Sequence, residues 1–161
     1  MVQSPLSSSA PAAPSSSGVT PFATKLGAPL TKLPITTLQI NLGRRCNLAC
    51  THCHVEAGPK RTEELLPEVC DQLIEIIRRF PQIQTVDLTG GAPEMNYGFR
   101  PLVEAARAAG KTVIARSNLT IFFEPGYDDL PEYYARHQLR VVASMPCYLE
   151  DNVDRQRGAG V

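Results

Sequence analysis

Polar and apolar residues alternate along Thr37-Leu38-Gln39-Ile40-Asn41-Leu42, a period of two that predicts a half-buried strand. The period then lengthens. Leu66, Val69, Cys70, Leu73, Ile76, Ile77 and Phe80 recur at helical spacing. This predicts a helix that opens between Thr62 and Pro67 and stops before Pro81. Cys70 lies on its apolar face, where packing is the expected role. Thr85-Val86-Asp87-Leu88-Thr89 reads as a second strand, ending in Gly90-Gly91. A second helix is expected from about Phe99 to Ala109, with Gly110 as its C-cap. Lys111 to Arg116 reads as a third strand. A short helix should open near Pro131, behind Asp128 and Asp129. Arg140-Val141-Val142-Ala143 completes a set of four strands.

Strand and helix in alternation define an α/β fold with a parallel sheet and right-handed crossovers. Ligands in such sheets bind beyond the carboxyl ends of the strands. Each predicted strand here ends in polar, glycine-rich or metal-binding residues. The first runs into a cysteine loop, and the second into Thr89-Gly90-Gly91-Ala92-Pro93-Glu94. The third ends in Ser117-Asn118 and the fourth in Ser144-Met145-Pro146-Cys147. Gathered on one side of a sheet, these ends would make a single site.

Composition narrows the partners. The chain has 161 residues and a formal net charge of zero. That suits one domain, gives no basic excess for nucleic acid, and points to a small-molecule substrate. No apolar run reaches membrane-spanning length. Residues 1–20 are rich in Ser, Ala and Pro and carry no charged side chain. They are expected to be a disordered tail, ahead of a domain over 21–161. A transit peptide is the alternative, since such segments are Ser-rich and acid-poor, but the first Arg is Arg44. Five cysteines without an apolar signal segment suggest reduced thiols and a cytoplasmic location.

Cys46, Cys50 and Cys53 carry the chemistry, in the spacing C-x3-C-x2-C. Three thiolates in one short loop can hold three irons of a [4Fe-4S] cube and leave the fourth iron open. Electron-transfer clusters use four cysteines. A zinc loop drawing on the neighbouring His52 and His54 is an alternative, although zinc spacings usually pair their ligands. A disulfide framework and a lone catalytic thiol fit the pattern less well.

C-x3-C-x2-C just after a strand resembles the cluster motif of the radical S-adenosylmethionine (SAM) enzymes. The resemblance implies a parallel (β/α) partial barrel, a [4Fe-4S] cluster on Cys46, Cys50 and Cys53, and SAM chelating the open iron. It implies cleavage of SAM to methionine and a 5′-deoxyadenosyl radical, with an electron donor such as flavodoxin or ferredoxin. Gly90 and Gly91 match the glycines whose backbone holds the SAM amino group. The acid that usually follows them directly is displaced here to Glu94. Ser117, Asn118 and Ser144 resemble polar positions that contact SAM. His52 takes the place where the family usually has an aromatic near the adenine. His54 could donate to a cluster sulfur.

A narrower resemblance covers roughly residues 36–160. The strings LQINLGRRCNLACTHCHVEAGPKR, VDLTGGAPEMN, SNLTIFFEPGYDDLPEY and VVASMPCYLEDNVDRQRG are similar to the arsenosugar biosynthesis radical SAM protein family. This implies transfer of the deoxyadenosyl group to a dimethylated trivalent arsenic species. Arsenic is soft and thiophilic, so Cys147, past the fourth strand, is a candidate substrate contact. Another substrate, such as a peptide, remains open. The family's core has six strand-helix units, whereas four strands are legible here with no closing helix. The expectation is therefore an N-terminal part of such a core.

Overall fold

The computed structural model describes residues 22–26, 31–145, 147 and 149–158. The predicted tail over 1–20 lies outside them. The chain divides into two compact units, residues 1–33 and 34–161. In the first, a single helical turn, α1, spans Phe22–Lys25. Everything below concerns the second.

Four strands, β1 (Thr37–Asn41), β2 (Thr85–Thr89), β3 (Thr112–Ser117) and β4 (Arg140–Ala143), form one sheet in the order β1-β2-β3-β4. Every neighbouring pair is parallel. Helices α2 (Pro67–Arg79), α3 (Phe99–Ala108) and α4 (Leu130–Arg136) fill the crossovers. Pro67 sits at the start of α2, where its missing N–H is no loss. Phe80 turns extended ahead of Pro81, because a residue before proline is pushed out of the helical region. Gly110 takes a φ of +71° just past α3, the left-handed conformation that glycine accepts most easily.

The register separates the two faces of the sheet. Gln39 pairs with Asp87 and Asp87 with Ile114, while Ile114 pairs with Arg140. One face therefore carries Thr37, Gln39, Asn41, Thr85, Asp87, Thr89, Thr112, Arg116 and Arg140, with only Ile114 and Val142 apolar. The other carries Leu38, Ile40, Val86, Leu88, Val113 and Ala115, and there Ile77, Phe99, Leu102 and Val103 complete the buried core. β4 is exposed along its whole length.

Boundaries differ from the sequence reading by a residue. β1 stops at Asn41, whose Oδ1 accepts the Gly43 N–H, and β3 is shifted by one to Thr112–Ser117. A larger correction concerns the expected lack of a closing helix. α5 spans Glu150–Arg157. It escaped the apolar pattern because it is almost wholly polar, with Val153 as its one apolar residue.

Candidate active site at the carboxyl ends of the strands

The predicted strand ends converge. A cavity of about 250 Å³ is bordered by Cys46, Cys50 and Cys53 from the loop after β1, and by Thr89, Gly90 and Gly91 from β2. Arg116, Ser117 and Asn118 border it from β3, and Val142, Ala143 and Ser144 from β4. His52 and His54 complete its rim. Arg157 of α5 closes it, a residue that periodicity had no means of flagging.

The cysteine loop is held by backbone. Cys46 N–H donates to Gly58 O at 3.3 Å, Gly58 N–H to Arg44 O at 3.0 Å, and Cys53 N–H to Cys50 O at 3.2 Å. The Gly-Gly turn locks onto the start of this loop. Gly91 N–H donates to Gly43 O and Ala92 N–H to Arg45 O, each at 2.9 Å. A Cβ on Gly91 would lie 2.3 Å from Arg45 O, a distance no carbon tolerates. Gly91 is therefore required by the approach of two backbones. With its N–H occupied by Gly43, its own carbonyl is the group left for a donor such as an ammonium.

Sulfur atoms are already acceptors in this loop. Leu48 N–H reaches Cys46 Sγ at 3.4 Å and Ala57 N–H reaches Cys53 Sγ at 3.3 Å. Asn118 Nδ2 reaches Cys46 Sγ at 3.6 Å and Asn47 Oδ1 at 2.8 Å. Thr120 Oγ1 and Ile121 N–H donate in turn to Asn118 Oδ1, so its amide is oriented from both ends. Leu119 pays for this turn with a φ of +64°, in a region side chains avoid. The sulfur donors are thus backbone amides and Asn118, whereas His54 stands on the cavity rim. Burial pushes the thiols of Cys46 and Cys50 above their ordinary values, and the Arg157 charge pulls Cys50 part of the way back.

The donor set fits an iron–sulfur cube. Among the described residues, no three Cys, His, Asp or Glu side chains close on one point. A tetrahedral zinc with bonds of about 2.3 Å needs its sulfurs about 3.8 Å apart. A cube takes each thiolate at a different corner, and three soft thiols bordering one cavity are the donor type it needs.

Two expected site residues lie elsewhere. Glu94 does not border the cavity. The 3₁₀ turn over Pro93–Met95 carries it to α4, where the Tyr134 hydroxyl donates to Glu94 Oε1 at 2.6 Å. Burial raises the Glu94 carboxyl above its ordinary value. Cys147 is half-buried beyond β4, with its Sγ accepting from Leu149 N–H at 3.5 Å, and it is not among the cavity-lining residues. Cys70 is buried in the core, as its helical position suggested.

One charged pair was not foreseen. Arg116 grips Asp87 through Nε at 2.9 Å and Nη2 at 2.8 Å, and Gln39 Nε2 donates to the same carboxylate at 3.0 Å. The signal was present in the sequence, since Gln39, Asp87 and Arg116 occupy the same polar phase of three strands.

Residues 40–146 match the model of the Radical SAM superfamily. The chain belongs to that superfamily of enzymes, which use a [4Fe-4S] cluster and SAM, and its four-stranded sheet is part of the family's α/β core. Among individual proteins, it is 29% identical over 87 residues to "Probable GTP 3',8-cyclase" of Thermoplasma volcanium, covering 54% of this chain and 26% of that one. It is 31% identical over 83 residues to YydG of Bacillus subtilis, named for a role in peptide biosynthesis, with coverages of 51% and 26%. It is 40% identical over 80 residues to GTP 3',8-cyclase of Synechococcus sp., with coverages of 47% and 21%. The chain thus matches about a quarter of the length of these relatives. No helix among the described residues is long and apolar enough to cross a membrane.

Proposed function

We propose that this chain carries the cofactor half of a radical SAM active site, with Cys46, Cys50 and Cys53 ligating a [4Fe-4S] cluster that SAM completes. The observation that carries this reading is the convergence of three thiols and three polar strand ends on one cavity. When bound, the cluster and SAM supply a 5′-deoxyadenosyl radical after one electron arrives from a donor such as flavodoxin or ferredoxin. The protein's part is placement. The carbonyls of Gly90 and Gly91 accept from the SAM amino group, while Ser117, Asn118 and Ser144 offer polar contacts to the rest of it. His52 flanks the adenine. Amide donors on Cys46 and Cys53 offset thiolate charge and ease reduction.

For the substrate, the reading is a dimethylated trivalent arsenic species in arsenosugar biosynthesis, supported by the four sequence strings. The C5′–S bond of SAM would break and a C5′–As bond form, with the electron used in cleavage recovered as the open-shell arsenic adduct is oxidised by one electron, so that As(III) ends as As(V). Cys147, half-buried just past β4 although outside the cavity lining, is the thiol proposed to meet arsenic. A second reading, a nucleotide or a peptide substrate, is supported by the names of the relatives. Anaerobic reconstitution should yield about four iron and four sulfide per chain and absorbance near about 400 nm, both lost in Cys46→Ala. One zinc per chain and no sulfide would sink the reading. Incubation with SAM, reductant and dimethylarsenite, read by mass spectrometry, tests the substrate. Deoxyadenosyl-arsenic product supports the first reading, and SAM cleavage without it favours the second.

A further inference from the structure

Among the described residues, the guanidinium of Arg157 is buried without an ion-pair partner. α5 brings this residue to 6% exposure at the wall of the cavity. Its partners are all neutral acceptors: the Asn118 carbonyl at 3.2 Å, the Ser144 carbonyl, and Ser144 Oγ at 3.2 Å. Its Nε is buried with no partner at all. Among the described residues no carboxylate pairs with it, since the ion pairs there use Glu63, Glu64, Glu75, Asp87 and Asp129. A guanidinium cannot shed its proton to escape such a site, and an unpaired buried charge is strongly unfavourable. An anionic group at the cavity would therefore be strongly favoured beside it.

Geometry identifies where that anion sits. Thr51 N–H donates to Gln156 O at 2.9 Å, tying the last turn of α5 to the cysteine loop. Thr51 follows Cys50 and Gln156 precedes Arg157, so this bond sets the guanidinium beside the Cys50 corner of the cavity. Arg157 and Cys50 both border it. Resting on the cluster reading above, we infer that Arg157 is the counter-charge of the thiolate-bound cluster and raises its reduction potential. Reduction adds one negative charge to the cube, and a fixed positive charge in a low-dielectric wall favours that state.

Potentiometric titration of the reconstituted full chain tests this, comparing wild type, Arg157→Lys and Arg157→Gln by visible absorbance and electron paramagnetic resonance. Removing the charge in Arg157→Gln should lower the reduced-to-oxidised ratio at a fixed potential about tenfold, equivalent to about 59 mV for one electron. Arg157→Lys should stay within about threefold of wild type. An unchanged potential in Arg157→Gln overturns the inference. So does weakened SAM affinity at unchanged potential, which assigns the guanidinium to the cofactor's carboxylate. Should Arg157→Gln fail to retain a cluster, loading restored by lysine supports the role of charge, and equal loss in both variants overturns it. A wild-type chain that takes up no iron defeats the cluster reading itself, a distinct result.

Discussion

The two faces of the sheet obey different rules. The helix-covered face is almost wholly apolar, and Val86, Leu88, Val113 and Ala115 on it are fully buried. The opposite face of the same strands is polar and carries the Gln39–Asp87–Arg116 cluster. Parallel sheets in α/β proteins are usually covered on both faces and read as continuous apolar runs. Here the strands alternate instead, so one face is reserved for something polar. Its upper row, Thr89, Arg116 and Val142, borders the cavity. The contrast separates residues that make the fold from residues that furnish the site.

The sharpest way to break that separation is to cut into the covered face. Leu88→Ala should cost about 2–5 kcal/mol, because the lost methyl groups leave a cavity in a packed layer. Urea unfolding should show a lower midpoint, while iron bound per folded chain stays at the wild-type level. A fall in iron content per folded chain would mean that the faces are not independent.

Asp87→Asn attacks the polar face. The carboxylate is 4% exposed but its partner Arg116 stands half in water and can rehydrate. The loss should therefore fall near about 1 kcal/mol, at the low end for a charge-assisted pair. Arg116 holds the Asp87 carboxyl below its ordinary value of 3.8. The unfolded chain then binds the extra proton first as pH drops. The wild type should lose this contribution as pH falls below 3.8 through the folded value, and Asp87→Asn should lack that acid limb.

What the sequence showed of this arrangement follows from which signals are local. Period-two alternation and the Gly, Pro and Asn punctuation placed all four strands and α2 to α4 to within a residue or two. The cysteine spacing, the Gly-Gly turn and Ser117-Asn118 marked the strand ends that border the cavity. Three things were not legible for physical reasons. α5 has no apolar stripe, so no periodicity announces it, and Arg157 came unannounced with it. The Asp87–Arg116 pair shares a polar phase that the sequence shows, but its two members are 29 residues apart and which residues face each other depends on register. Glu94, three positions past Gly91, looked like a cavity residue until the 3₁₀ turn carried it to Tyr134.

Glu94 and Asp87 are therefore the closest controls for one another, two carboxylates at 7% and 4% exposure with opposite behaviour. Asp87 has a guanidinium, whereas the side chains that reach Glu94 are uncharged hydroxyls, those of Tyr134 and Ser117. Burial accordingly raises the Glu94 carboxyl above 4.5 while the ion pair lowers Asp87. The sign reverses with it. Above pH 4.5 the unfolded chain gives up the Glu94 proton before the folded chain does, so the folded state binds more protons and stability declines as pH rises. Glu94→Gln keeps the acceptor for Tyr134 and cannot ionise. It should change stability at pH 5 by no more than about 1 kcal/mol. It should also flatten the decline in melting temperature as pH rises above 4.5. A variant that follows the wild-type slope would place the titrating group elsewhere and remove Glu94 from the comparison.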